Sequence, residues 1–82
     1  MPRRKAFRLV FATNSQSYRE HMEQKPCWTS TIHVPEGYHV VFESYDWRWL
    51  EKLAAMEASH PNVTETWIEY QGIFERARNE QP

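Results

Sequence analysis

Cysteine and glycine are nearly missing from this 82-residue chain: Cys27 stands alone, and Gly37 and Gly72 are the two glycines. A single thiol forms no internal disulfide and no thiolate metal cluster, which fits a reducing compartment, so a cytoplasmic protein without a metal is expected. Two glycines far apart build no phosphate-cradling loop. No apolar run approaches the roughly 20 residues that span a bilayer, and no apolar stretch of signal-peptide length follows the basic Met1–Lys5. A membrane role is therefore not expected. Excess positive charge is lacking as well. Ten basic and eleven acidic residues give −1, and from residue 9 onward six basic residues face eleven acidic ones. The layout is an acidic body with a short arm, Arg3, Arg4, Lys5 and Arg8. Nucleic-acid binders usually show the reverse, with cations spread over one face.

What the chain does have is rings. Aromatics make up 15% of it, four each of Trp, Tyr and Phe. Disordered chains are poor in aromatics, and large rings close a small core that aliphatics alone would not fill. A single domain over residues 1–82 is expected, with 1–5 and 79–82 frayed.

Hydrophobic periodicity places the elements. Ala6–Thr13 reads as a strand with Phe7, Leu9 and Phe11 in phase. Ser17 and Glu20 have capping-box spacing, so a short helix is expected over 17–25, with Tyr18, His21 and Met22 on one face and Pro26 as its stop. Cys27–Val34 and Tyr38–Tyr45 read as a hairpin around Pro35-Glu36-Gly37. A three-residue loop there pairs Val34 with Tyr38, Ile32 with Val40, and His33 with His39. Asp46 caps a helix over Trp47–Ser59, whose Trp49, Leu50, Leu53, Ala54 and Met56 recur at helical spacing. Glu57 falls inside that apolar arc, as a last turn overhanging the sheet would allow. Val63–Gln71 is crowded with β-branched and aromatic residues and reads as a strand. Ile73–Arg78 either extends the sheet or forms a terminal turn. The order βαββαβ gives an α+β, ferredoxin-like fold: a four-stranded antiparallel sheet with two helices on one face.

The covered face should hold Phe7, Leu9, Phe11, Trp28, Ile32, Val34, Tyr38, Val40, Phe42, Ile68 and Tyr70. The other should carry Arg8, Val10, Thr29, Thr31, His33, His39, Val41, Glu43, Tyr45, Val63, Glu65, Trp67 and Glu69. An apolar cluster rimmed by charge is the usual look of a contact surface. Trp67, Val41 and Tyr45 are its expected centre, with Glu43, Glu65 and Glu69 steering it toward a basic partner.

Gly37, Tyr38 and Val41 match positions of the third-strand signature of the RNA-recognition motif family, which Glu36–Glu43 loosely resembles. Glu36 stands where that family has a cation, and Val40 and Glu43 where it has stacking aromatics. An acidic sheet face would also repel phosphate.

Catalytic groupings do not emerge. His33 and His39, as cross-strand neighbours, lack a third ligand close by, since Glu43 lies roughly 13 Å farther along the strand. Nothing sets a histidine beside Cys27, so no nucleophile is assigned, and no cofactor is expected. The leading expectation is a small protein-binding module that occupies a surface of a larger partner or of itself. In size and composition it resembles phage-encoded inhibitors of host defence such as anti-CRISPR proteins. Two alternatives stand beside it. One is nucleic-acid binding through Arg3, Arg4, Lys5 and Arg8. The other is an enzyme pairing sheet to sheet around a pocket, as in the dimeric α/β-barrel monooxygenases.

Overall fold

The protein's structure, a computed structural model, describes residues 7–70. The expected basic arm over 1–5, the C-terminal tail and the reading of Ile73–Arg78 lie outside them. Six elements follow in the order βαββαβ: β1 (Phe7–Thr13), α1 (Gln16–Met22), β2 (Trp28–Val34), β3 (Gly37–Ser44), α2 (Trp47–Glu57) and β4 (Val63–Tyr70). The strands form one antiparallel sheet in the order β2-β3-β1-β4. This is the ferredoxin-like arrangement expected from the order of elements. Among the described residues, no helix is long and apolar enough to cross a membrane.

One face of the sheet makes the core. Leu9 and Phe11 of β1 and Val40 and Phe42 of β3 are fully buried against Tyr18 and Met22 of α1 and Leu50 and Leu53 of α2. Phe11 and Phe42 meet edge to face at 5.7 Å, the geometry their ring quadrupoles favour. Helix α2 starts where its cap requires, with Asp46 accepting from the amides of Arg48 and Trp49. Helix α1 starts one residue before the expected segment and ends at Met22 rather than residue 25. Its cap is Ser15, which accepts from the Tyr18 amide, and His21 is exposed rather than sharing the buried face. Ser15 wins over Ser17 because its own amide is held by Thr13 Oγ1 at 3.1 Å, which fixes it in extended geometry just ahead of the first turn.

The hairpin differs from expectation by one residue. Val34 pairs with Gly37, His33 with Tyr38 and Ile32 with His39. The turn is the two residues Pro35-Glu36, and Gly37 already belongs to β3. Gly37 answers to close approach rather than to the turn. Its φ is +144°, and a Cβ there would collide with the Thr13 carbonyl and lie 2.8 Å from Asn14 Cα. A register step of one turns every side chain over. Ile32 and Val34 therefore leave the covered face, and Thr31 and His33 join it. His33 and His39 consequently project from opposite faces and form no pair. An irregularity between Trp28 and Ser30 restores the phase, so Trp28 lies beside Phe42 and keeps its expected place on the covered face. A second one, between Ala12 and Thr13, pairs Thr13 with Val63 and turns Val63 toward the core rather than the open face.

Candidate interaction surface

On the sheet face away from the helices, register sets Glu43, Arg8 and Glu69 in one row across β3, β1 and β4. Val41, Val10 and Trp67 form the next row. Arg8 sits between the carboxylates, with Nη2 3.1 Å from Glu43 Oε2 and Nη1 3.7 Å from Glu69 Oε1. The indole N–H of Trp67 donates to Glu69 Oε2 at 2.7 Å. His39 and Trp67 flank β1 and meet edge to face above it, with ring centroids 5.2 Å apart. Beneath this lid Val10 and Val41 are only 3% and 1% exposed.

The residues expected to form a contact face are thus only partly together. Trp67, Val41, Glu43 and Glu69 gather around Arg8 as a self-satisfied group, with Trp67 half-buried and Val41 beneath it. Glu65 is exposed on β4, and Tyr45 lies past the end of β3. Of the residues considered for nucleic acid, Arg8 is engaged in these ion pairs, and Arg3, Arg4 and Lys5 lie outside the described residues.

The edge of the sheet is different. Strand β2, Trp-Thr-Ser-Thr-Ile-His-Val, has no charged residue, and no described strand lies beyond it. Trp28 and Ile32 are 38% and 47% exposed, and they project from opposite faces of this strand. Its backbone offers free groups. Antiparallel pairs alternate between exchanging hydrogen bonds and not doing so, and a two-residue hairpin closes on a bonded pair, here Val34–Gly37. The amides and carbonyls of Ile32 and Ser30 consequently face β3, and those of Thr31 and His33 face outward.

Side chains on the helix side hold this edge in place. The Trp28 indole N–H donates to Thr31 Oγ1 at 3.1 Å, and the Thr31 hydroxyl donates to Glu23 Oε2 at 2.6 Å. Arg19 Nη1 reaches the same oxygen at 2.9 Å, and its guanidinium lies 4.8 Å over the Tyr38 ring. The Thr31 hydroxyl, then Arg19, holds the Glu23 carboxyl below the usual carboxylate range. Near the Trp28 end, Pro26, Cys27, Ser44, Asp46 and Trp49 line an open hollow of about 340 Å³. Cys27 has a free thiol and a left-handed φ of 72°.

Ile32 and the outward backbone of β2 were not among the expected contact residues. The signal was present in the uncharged run itself, but the wrong register placed Ile32 in the core. No three or more His, Cys, Asp or Glu side chains gather as a metal site among the described residues. Set against family models, curated proteins and solved structures, the chain matches none.

Proposed function

We propose that the protein is a small protein-binding module that receives an extended segment of its partner along the free edge of β2. The observation that carries this reading is an uncharged seven-residue edge strand with Trp28 and Ile32 exposed on its two faces. Sheet proteins usually guard an edge with charge or proline. Strand β4 follows that rule with Glu65 and Glu69, and β2 does not. In strand addition the backbone supplies affinity, and alternate side chains supply selectivity. Such a module blocks what it binds without transforming it. That mode fits the likeness in size and composition to phage-encoded inhibitors of host defence.

The test uses the full chain as bait, beside His33→Pro and Ile32→Lys. Proline at His33 removes an outward amide while sparing the ladder to β3, and lysine at 32 guards the edge. Both variants are expected to keep the far-ultraviolet circular dichroism spectrum and to lose the proteins that the parent retains. Retention of the same proteins by both folded variants overturns the reading.

A further inference from the structure

We infer that the strand added to β2 is β2 of a second copy, forming a symmetric dimer with one continuous eight-stranded sheet. This rests on the reading of β2 as a docking edge and names the occupant. Charge is the first argument. Self-pairing of β2 brings no like charges together, because the strand has none. The same operation on β4 about Trp67 would set Glu65 opposite Glu69, and like charges directly opposite are unfavourable. The β2 edge thus accepts a copy in any register without opposing like charges, which the glutamates of β4 do not allow, and an isologous pairing of β2 closes at two chains.

Register is the second argument. A two-fold axis perpendicular to the sheet keeps the helix side of one copy with the helix side of the other. Opposed residues must then share a face, so the axis passes through a residue rather than between two. Residues 30–34 alternate regularly, while Thr29 sits at the irregularity. An axis through Ile32 uses that whole regular stretch, opposing Ser30 with Val34, Thr31 with His33, and Ile32 with its own copy. The outward amides and carbonyls of Thr31 and His33 become the hydrogen-bonded pairs of the new ladder. Ile32 falls in the close, non-bonded pair, with Cα atoms about 4.5 Å apart. Its exposed side chain gains an apolar neighbour on the open face.

Sedimentation velocity of the purified full chain over a micromolar concentration series tests this. The parent is expected to sediment as a dimer that dissociates on dilution, and His33→Pro and Ile32→Lys as monomers at every concentration. If His33→Pro fails to fold, Ile32→Lys alone decides. In a Cys27→Ser background, Ile32→Cys should form an intermolecular disulfide under mild oxidation, since its Cα separation suits one. Ser30→Cys, opposed to Val34, should not. A parent that is monomeric throughout, or a dimer that survives in both variants, overturns the inference. A monomeric parent whose retained proteins still depend on Ile32 and His33 overturns only the second copy and leaves strand addition standing.

Discussion

Tyr18 and Glu57 meet where α1 and the end of α2 close over the core. The Tyr18 hydroxyl donates to Glu57 Oε1 at 2.6 Å, and Lys25 Nζ lies 3.6 Å from Glu57 Oε2. The His60 ring lies against Tyr18 with centroids 4.3 Å apart. In the sequence Glu57 was visible as a carboxylate within an apolar arc, and an overhanging last turn was the expected reason. It is instead buried, because a phenol thirty-nine positions earlier reaches it, and no local pattern reports a partner so distant. A hydrogen bond to a charged group is worth about 1.5–3 kcal/mol when its loss strands the charge. Tyr18→Phe is therefore expected to lower stability by about 2 kcal/mol, roughly 10 °C in a domain of this size, read by thermal melts. Burial first, then the hydrogen bond to Glu57, raises the Tyr18 pKa well above its ordinary 10.0. Below pH 10 the phenol is protonated in both the folded and the unfolded chain. Above it the unfolded chain releases the proton first, so the fold loses stability as pH rises. Melts from pH 9 upward should fall more steeply for the parent than for Tyr18→Phe, and parallel curves would refute the contribution.

The β2–β3 hairpin shows how much of an element its own residues declare. Both strands, their antiparallel pairing and the place of the turn, at Pro35-Glu36-Gly37, were legible from β-branched content and turn chemistry. The register was not. Pro-Glu-Gly satisfies a three-residue loop and a two-residue turn about equally in local terms. What decides is Gly37, whose Cα hydrogen faces the Thr13 carbonyl region of a strand distant in sequence. Because the side-chain period is two, that tertiary contact alone moved Ile32 from the expected core to the exposed edge. The same contact makes Gly37→Ala severe. A Cβ meets backbone rather than a flexible side chain, at a φ that L-residues rarely adopt. We expect a loss of about 2–4 kcal/mol, in the range that marks strain and overpacking. Urea unfolding should show a lower midpoint with an unchanged slope. A midpoint within error of the parent would mean that the strands part there at little cost.

Across the whole molecule, three surfaces of the sheet have three fates. The helices cover one face, and the Arg8 ion pairs with the His39–Trp67 contact close the centre of the other. The β2 edge is left uncharged and open among the described strands. The distribution of apolar residues over the two faces was largely legible, down to Val10, Val41 and Trp67 on the same side. What the sequence could not reveal is that Trp67 bends over β1 to meet His39, turning an apparent contact residue into a cover for two valines. The two roles separate experimentally. Trp67→Ala uncovers Val10 and Val41 and should lower stability by about 2 kcal/mol, short of the ~3–5 kcal/mol of a fully buried ring. It leaves the β2 edge and its dimer untouched. Ile32→Lys removes an exposed side chain, should shift the melting of dilute monomer little, and abolishes self-association. Melting and sedimentation on the same two variants should therefore move independently. If Trp67→Ala dissociated the dimer while melting like the parent, the working surface would be the open face of the sheet and not its edge.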